Sequence, residues 1–254
     1  INHPTKCKKC NSPRIKYLGL GTQRVVQELQ ELFPGVNTLR WDRDAASSKD
    51  SHEGMMNTFL KGNAQILVGT QMIAKGLHFP GVTLVGVLCA DIGLFLPDFR
   101  AGERVFELLC QVSGRTGRSD LGGKVIIQTY SPTNYAVISA AAQDYEMFYS
   151  QEIAYRYELG LPPFSKLIRL IYSHNTEDTC VKQALYLGKK FRNQLEVMGI
   201  TDVSVLGPSP AFPSKIRGKY RWHIILKGID PRRLIDEINL PLGWTVEVDP
   251  ISVT

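Results

Sequence analysis

Two kinds of hydrophobic pattern alternate along residues 22–129. Continuous apolar runs at 64–69 and 82–89 are typical of parallel strands that are buried on both faces. Other segments have apolar residues three or four positions apart, which predicts helices. The predicted elements are a helix capped by Thr22 and ended by Pro34-Gly35, a strand at 36–41, a helix ending at Gly62, the two apolar strands, a helix at 100–111 and a strand at 124–129. This alternation predicts an α/β fold with helices on both sides of a parallel sheet.

The pattern changes at Gly160-Leu-Pro-Pro163, where two prolines beside a glycine end a helix that begins near Asp144. We therefore expect a domain boundary between residues 160 and 161. The predicted elements after it are a strand at 167–172, a helix at 177–198, strands at 203–206 and 220–227, a helix at 231–238 and a strand at 244–248. This is the element order of the ferredoxin-like βαββαβ unit, so we expect a smaller α+β domain at 161–254.

The composition, with 43% hydrophobic and 21% charged residues among 254, is that of a globular protein. No apolar run approaches the roughly 20 residues that a membrane-spanning helix needs, so we expect a soluble protein with no membrane partner. An odd number of cysteines, five, favours a reducing and therefore cytoplasmic compartment. The chain opens with Ile1 and lacks a signal-peptide pattern, so we interpret it as a piece of a longer protein.

The net charge of +6 is concentrated in two segments. Residues 1–24 contain six Lys or Arg and residues 214–223 contain four, and neither segment contains an acidic residue. Such patches suit a polyanionic partner, above all nucleic acid. Charge alone leaves open the alternative that both are solvated basic loops.

The segment Gln111-Val-Ser-Gly-Arg115-Thr-Gly-Arg118 lies at the end of the predicted helix at 100–111. Two guanidinium groups three residues apart, beside glycines that let the backbone turn tightly, suit donation to phosphate oxygens. In nucleoside triphosphatases, arginines of this kind stabilise charge on the transferring phosphoryl group and raise the rate about 10³- to 10⁵-fold. A basic turn after a helix is the structural alternative.

A second candidate segment, residues 69–80, comes directly after a strand predicted to be buried. In α/β folds, ligands gather at the carboxyl ends of parallel strands. Thr70, Gln71 and Lys75 provide a hydroxyl, an amide and an ammonium group that could bind a nucleic-acid backbone, and His78 follows them. Taken alone, a Thr or His after a strand is more often a cap or a loop residue.

Together, the two segments resemble motifs V and VI of superfamily 2 helicases, which lie on the second RecA-like lobe. The whole chain is similar to the primosomal replication-restart helicases, the PriA family, through five further stretches: Gly19-Leu-Gly-Thr-Gln-Arg-Val25, Arg40-Trp-Asp-Arg-Asp44, Leu96-Pro-Asp-Phe-Arg100, Leu161-Pro-Pro-Phe-Ser165 and Arg217-Gly-Lys-Tyr-Arg-Trp222. The resemblance implies a RecA-like lobe at 17–160, taken from an ATP-dependent 3′ to 5′ DNA helicase. Such helicases recognise stalled replication forks and restart replication by primosome assembly.

The resemblance also implies roles for single residues. Motif VI arginines reach nucleotide phosphates, Gln111 matches a residue that helps to order that site, and motif V couples DNA contact to the nucleotide. His78 departs from the Asp of many superfamily 2 helicases. The catalytic candidates are Gln111, Arg115 and Arg118; the nucleotide-binding candidates are Gly76, His78, Arg115 and Arg118; the DNA-binding candidates are Arg24, Thr70, Gln71, Lys75, Arg217, Lys219 and Arg221.

Cys7 and Cys10 have the spacing of half a tetrahedral zinc site, in which two thiolates on a tight turn bind one metal ion. In the family that the chain resembles, a cysteine-rich insertion binds two zinc ions through four such pairs. The resemblance implies that residues 1–16 are the end of this insertion. We therefore expect Zn²⁺ in the longer protein and no complete zinc site in this chain.

The segment 215–223 interleaves cations with aromatic rings. The cations suit phosphates and the rings could stack on bases, but alternation along a predicted strand also allows Tyr220 and Trp222 to face the core. We expect Arg217 and Lys219, in the loop before this strand, to bind DNA. In the family that the chain resembles, this domain assists fork binding and meets single-stranded DNA-binding protein.

The chain contains no G-x-x-x-x-G-K-[ST] phosphate loop. ATP in such helicases lies between two lobes, so we expect ATP with Mg²⁺ to bind the longer protein and this chain alone to hydrolyse none. The implied partners are forked and single-stranded DNA, single-stranded DNA-binding protein, and primosome and helicase-loading proteins. The alternative function is a catalytically silent module that binds fork DNA and proteins.

Overall fold

The computed structural model of the chain describes residues 6, 10–13, 21–42, 49–74, 79, 81–114 and 123–254. The chain divides into two compact units. The first contains residues 1–94 and 104–144, and the second contains residues 95–103 and 145–254. No helix among the described residues is both long and apolar enough to cross a membrane.

Short strands alternate with helices in the first unit. Two parallel strand pairs form, β1 with β2 and β3 with β4, which confirms the predicted α/β class. Helix α5 has its first turn in the second unit and the rest in the first. The elements in chain order are α1 (Thr22–Leu32), β1 (Thr38–Trp41), α2 (Lys49–Leu60), β2 (Ile66–Gly69), α3 (Gln71–Ala74), β3 (Leu84–Val87), α4 (Asp91–Leu94), α5 (Ala101–Ser113), β4 (Lys124–Ile127) and α6 (Tyr135–Ala142).

Two sequence-based predictions for this unit are wrong. Strand β3 is not buried on both faces as predicted, since Leu84 is 57% exposed, and its partner β4 leaves Ile126 53% exposed. Side chains alternate between the two faces of a strand, and the described residues cover only one face of this pair. Thr22 does not cap α1, because Gly21 holds the cap position and the Thr22 hydroxyl donates to the Asp42 carboxylate instead.

The second unit contains a four-stranded antiparallel sheet in the order β6-β7-β5-β8. Along the chain its strands and helices follow the predicted order, and the bounds of α8 and β8 are those predicted. The elements are α7 (Tyr145–Glu158), β5 (Lys166–His174), α8 (Glu177–Met198), β6 (Val203–Ile216), β7 (Lys219–Gly228), α9 (Arg232–Asp236) and β8 (Trp244–Val248).

Helix α8 covers one face of this sheet and forms the core of the unit with it. Burying a large aliphatic or aromatic side chain contributes about 1.5–3 kcal/mol to stability, so this cluster is a major stabilising feature. The core residues with at most 1% of their surface exposed are Ile168, Leu170, Leu187, Phe191, Ile224, Leu226 and Leu234.

Strand β6 is ten residues longer than predicted, because its pairing with β7 resumes twice after register shifts. Pro208, Pro210 and Pro213 lie within it and argue against a strand when read from the sequence. An edge strand tolerates proline, since one side of its backbone does not enter the hydrogen-bond ladder. Strand β6 lies at one edge of the sheet that the described residues form, which explains the error.

Ion pairs attach residues 95–103 to α7 within the second unit. Glu103 contacts Arg100 at 2.5 Å and Arg156 at 2.7 Å, and Arg156 also contacts Glu152 at 2.7 Å. Hydrogen bonds from Arg100 and Arg156 outweigh the effect of burial and lower the pKa of Glu103 to about 2. Close by in sequence, Asp98 accepts a hydrogen bond from the Val253 amide at 3.1 Å.

Candidate nucleic-acid interface

The first part of the candidate interface lies at the carboxyl end of β1 and β2. The strands are parallel, with Trp41 paired to Gly69, so Asp42 and Thr70 follow the same end. Thr70 and Gln71 are both exposed, and the Thr70 carbonyl accepts a hydrogen bond from the Ile73 amide at 3.1 Å at the start of α3. The hydroxyl and amide side chains are therefore accessible at this edge, and their binding of DNA stays a prediction.

Asp42 is a buried residue that stabilises this end of the strands. It is 7% exposed, it accepts a hydrogen bond from the Thr22 hydroxyl, and it forms an ion pair with Arg40 at 3.1 Å. On the neighbouring residue, the Trp41 indole N–H donates to His52 Nδ1 at 2.9 Å. These contacts connect β1 with α1 and α2 and hold the edge in place.

Gly69 permits the close approach of β2 to β1 at this edge. An added Cβ would overlap the carbonyl oxygen of Trp41 and would lie 3.2 Å from the Ile73 side chain. We expect Gly69→Ala to lower the free energy of unfolding by about 1–3 kcal/mol, as overpacking of a tight site does. Urea unfolding measures this, with Gly86→Ala as the matched strand control, because nothing lies within 4 Å of an added Cβ there. Equal effects of the two substitutions would contradict the prediction.

Asp91, which is not among the candidates from the sequence, plays a similar structural part beyond the carboxyl end of β3. It is fully buried and accepts hydrogen bonds from the Thr129 hydroxyl at 2.9 Å and from the Tyr130 amide at 3.0 Å. Burial alone raises the pKa of Asp91, but these hydrogen bonds outweigh it and hold the pKa below its ordinary value. An acidic residue directly after an apolar run is the sequence signal that identifies it.

Two other predicted site residues are accessible on helices. Arg24 of α1 is 70% exposed and its side chain contacts Glu28 at 2.9 Å. An exposed pair of this kind contributes about 0–1 kcal/mol, so the guanidinium group can exchange it for a phosphate at little cost. Gln111 is exposed near the end of α5.

The remaining predicted residues of the first unit lie outside the described residues: Cys7, Lys75, Gly76, His78, Arg115 and Arg118. Cys10 is exposed and its thiol is free. Within the described part of the chain, no group of three or more His, Cys, Asp or Glu side chains could hold a metal ion.

The second part of the candidate interface is the hairpin of β6 and β7. Ile216 pairs with Lys219, and the two residues between them, Arg217 and Gly218, have φ angles of 49° and 83°. Positive φ at both central residues is typical of a type I′ turn. Arg217 therefore lies at the tip. The prediction that Lys219 lies in the loop is wrong, because so tight a turn leaves Lys219 as the first residue of β7.

Strand alternation places Tyr220 and Trp222 on the face of the sheet that α8 covers, the same face as the core residue Ile224. Both rings are half-buried. The Tyr220 carbonyl accepts a hydrogen bond from the Cys180 thiol of α8 at 3.4 Å, and Lys215 Nζ lies 4.2 Å from the centre of the Tyr220 ring. Of the two interpretations that the sequence leaves open, the structure favours the one in which these rings face the core.

The hairpin is strongly basic. Residues 203–228 contain five Lys or Arg and no Asp or Glu. Lys215, Arg217 and Lys219 are exposed, and Arg221 is half-buried. Three of these cations therefore remain accessible to phosphate groups at the turn.

A buried network lies on the opposite face of the sheet from α8. Arg169 of β5 is 3% exposed, and its Nε donates to His223 Nδ1 at 3.3 Å. Because Nδ1 accepts, we infer that Nε2 carries the hydrogen and donates to the Ser209 hydroxyl at 3.0 Å. Burial, followed by the charges of Arg169 and Arg221, lowers the pKa of His223 to about 4.

We expect this imidazole to make the second unit less stable in acid. The folded-state pKa of about 4 is below the ordinary 6.5, so the unfolded chain binds the proton first and stability falls from pH 6.5 to pH 4. The expected loss is about 1–2 kcal/mol, discounted because solvent screens a half-buried group. Urea unfolding of the wild type and His223→Gln across this range measures it, and the variant should lose much of the pH dependence. Parallel curves of unfolding free energy against pH for the two proteins would contradict the prediction. The difference between the two proteins at pH 8, where the imidazole is neutral in both states, corrects for altered packing.

Comparison with known proteins relates the two units to two family models. Residues 17–120 match the model described as helicase conserved C-terminal domain, and residues 157–251 match the one described as primosomal protein N C-terminal domain. The replication restart protein PriA of Bacillus subtilis is 44% identical over 88% of this chain and 27% of its own length. Those of Chlamydia trachomatis and Treponema pallidum are each 40% identical over 98% of this chain, and over 34% and 39% of their own lengths.

The chain thus spans between 27% and 39% of the length of these relatives. The helicase model matches before the primosomal model along the chain, and the identity extends over nearly the whole chain. The chain belongs to the PriA family of replication restart proteins.

Proposed function

We propose that the chain is the C-terminal part of an ATP-dependent superfamily 2 DNA helicase that moves 3′ to 5′, recognises stalled replication forks and restarts replication by primosome assembly. The observation that carries the proposal is the joint presence of a helicase C-terminal domain and a PriA-type C-terminal domain in one chain. Two features support DNA as the substrate. Thr70 and Gln71 are accessible at the carboxyl end of β2, and the basic hairpin contains no acidic residue.

The proposed organisation has three parts: the end of a zinc-binding region at 1–16, a second RecA-like lobe at 17–160 and a C-terminal domain at 161–254. Parallel strand pairs support the RecA-like assignment of the lobe. The antiparallel strand order β6-β7-β5-β8, together with the order of elements along the chain, supports a ferredoxin-like assignment of the C-terminal domain.

In the proposed helicase, ATP with Mg²⁺ supplies the phosphoryl group whose hydrolysis drives movement. Arg115 and Arg118 donate to its phosphate oxygens, Gln111 helps to order that site, and Gly76 and His78 lie beside the nucleotide. The accessible amide of Gln111 is a donor and acceptor that fits this role. Cys7 and Cys10 provide two of four zinc ligands, and the other two come from elsewhere in the longer protein.

DNA contact is divided between the two parts of the candidate interface. Thr70, Gln71, Lys75 and Arg24 bind the sugar-phosphate backbone at the strand edge, and the hairpin cations bind phosphates at the fork. Single-stranded DNA-binding protein and the primosome and helicase-loading proteins are the proposed protein partners. A basic surface of this kind suits both DNA and an acidic protein segment.

The test is DNA-stimulated phosphate release and unwinding of forked DNA by the full-length protein, compared with its Arg118→Ala variant and with this chain alone. The proposal expects activity in the full-length wild type, none in the chain alone and a large loss in the variant. Full activity in the variant would favour the alternative, a silent lobe that only binds fork DNA and proteins.

A further inference from the structure

The pairing of strand β6 with β7 is interrupted for a short stretch close to the basic turn. Pro210 pairs with Trp222 and Lys215 pairs with Tyr220, so residues 211–214 lie opposite the single residue Arg221. We call residues 211–214 the β6 bulge. A bulge of this kind re-aims side chains that a regular strand would hold in alternation.

The β6 bulge is held at several points. Ala211 is 2% exposed and anchors its first residue in the unit. Arg221 donates from Nη1 to the Pro213 carbonyl at 3.2 Å, which ties the bulge to the neighbouring strand, and the ring of Pro213 restricts the backbone. Phe212 lies between these fixed residues. Its backbone is therefore already ordered, and binding a ligand costs little further conformational entropy.

Phe212 is the accessible aromatic ring of the hairpin. It is 47% exposed, whereas Tyr220 and Trp222 are half-buried on the face covered by α8 and Lys215 lies over the Tyr220 ring. In the sequence, the interleaved cations make the two sheltered rings the stacking candidates, and Phe212 is not among them. A phenylalanine left nearly half exposed loses part of the hydrophobic stabilisation that burial gives, and a stacked base would recover it.

The surroundings of the ring are cationic. Arg221 lies directly opposite the β6 bulge, Lys219 is on the same face of β7 two residues earlier, and residues 203–228 contain no acidic side chain. Residues two apart on a strand are about 7 Å from each other, a separation that successive phosphates of an extended single strand also reach. A row of cations that can follow the phosphate backbone, with an aromatic ring beside it, is typical of sites that bind single-stranded nucleic acid.

We propose that Phe212 is a base-stacking residue of a single-stranded DNA site on the β6–β7 hairpin. The proposal rests on the proposed function, in which the hairpin cations bind DNA, and adds the contact that distinguishes an unpaired strand from a duplex. In a duplex each base face is covered by its neighbours, so the ring has no base to stack on. An unpaired base presents that face, and stacking is tolerant of sequence because every base has one.

The test measures binding of the 254-residue chain to an oligothymidine of about 12 nucleotides by fluorescence anisotropy. We expect Phe212→Ala to weaken binding about 5- to 100-fold, the range that loss of one stacked base gives. The slope of log affinity against log salt should not change, because no charge is lost. Phe212→Tyr should bind as the wild type does.

The matched control is Tyr155→Ala. Tyr155 has the same 47% exposure but lies on α7, which also carries Glu146, Glu152 and Glu158. The Tyr155→Ala variant should leave the affinity for oligothymidine unchanged.

An abasic strand of equal length retains every phosphate and removes the bases, so wild type and Phe212→Ala should bind it equally. Circular dichroism establishes that each variant is folded.

A direct readout is photocrosslinking of an oligothymidine that carries 5-iododeoxyuridine, with the crosslink expected at residue 212. The inference is overturned if Phe212→Ala binds oligothymidine like the wild type, or if its loss is as large on the abasic strand. It is also overturned if Phe212→Ala abolishes only the binding of an acidic peptide, since the ring would then serve a protein partner.

The two proposals fail in different ways. If Arg217→Ala and Lys219→Ala weaken DNA binding while Phe212→Ala does not, the stacking role alone is wrong. If neither the charge variants nor Phe212→Ala changes DNA binding, the hairpin is not a DNA site and both proposals are wrong for it.

Discussion

Replacing Arg118 by Ala in the full-length protein is expected to lower the DNA-stimulated rate of ATP hydrolysis by about 10³- to 10⁵-fold, the range measured for arginine fingers. The reason is electrostatic, because a guanidinium group that reaches the transferring phosphoryl group stabilises charge that develops only in the transition state. Binding of forked DNA should change little, since the substitution alters neither the carboxyl ends of β1 and β2 nor the basic hairpin. Phosphate release and DNA affinity measured on the same preparation separate these two effects.

The matched control is Arg232→Ala, which removes an exposed arginine from α9 in the second unit. It should leave phosphate release at the wild-type rate. If Arg118→Ala hydrolyses ATP as fast as the wild type, the arginine-finger role is wrong and the silent binding module becomes the better description. Lys in place of Arg118 should restore little activity, because an ammonium group lacks the fork of donors that phosphate oxygens accept.

Replacing Lys215, Arg217, Lys219 and Arg221 together by Gln is expected to weaken DNA binding on the order of 10²-fold or more at low salt, since each phosphate contact releases condensed counterions. The slope of log affinity against log salt should become less negative by about 0.9 for each lost contact on duplex DNA and about 0.7 on a single strand. Gln preserves much of the side-chain length, so packing against the Tyr220 ring is largely retained.

Lys182→Gln is the matched control for the hairpin variant. Lys182 is 72% exposed on α8 and contacts Asp178 at 2.6 Å, so its loss removes a cation of the same unit that does not belong to the hairpin. It should leave the salt slope unchanged. An unchanged slope in the fourfold variant would mean that the hairpin cations do not contact phosphates, whatever happens to the affinity.

Local signals in the sequence predicted α8 with its observed bounds. Glu177 and Asp178 place negative charge in its first turn, which complements the helix dipole. Gly199, with φ of 64°, ends it in the left-handed conformation that glycine adopts most readily. Strand β6 was underestimated for the opposite reason, because its prolines signal a break locally while its pairing partner and its place at the sheet edge decide its length.

Placement of Thr70 and Gln71 at the end of a strand was predictable in the same way, since an apolar run followed by polar residues marks that point along the chain. The bond of the Thr22 hydroxyl to Asp42 was not predictable, because it joins residues 20 positions apart and displaces the expected helix cap. The contact of Arg169 with His223 joins residues 54 positions apart. Burial, followed by the charge of Arg169, lowers the pKa of an imidazole that the sequence shows only as one member of a basic stretch.

The sequence by itself determined the α/β class, the order of elements, the basic segments and the family resemblance, because these depend on local periodicity, on charge and on the spacing of motif residues. Only the tertiary structure decided which rings of the β6–β7 hairpin are sheltered and which is exposed. The cations that interleave with Tyr220 and Trp222 make these rings the candidates for stacking, but α8 covers their face, while a shift in strand register brings Phe212 out of alternation and into solvent. Register and helix packing depend on contacts between distant residues, and these exist only in the folded chain.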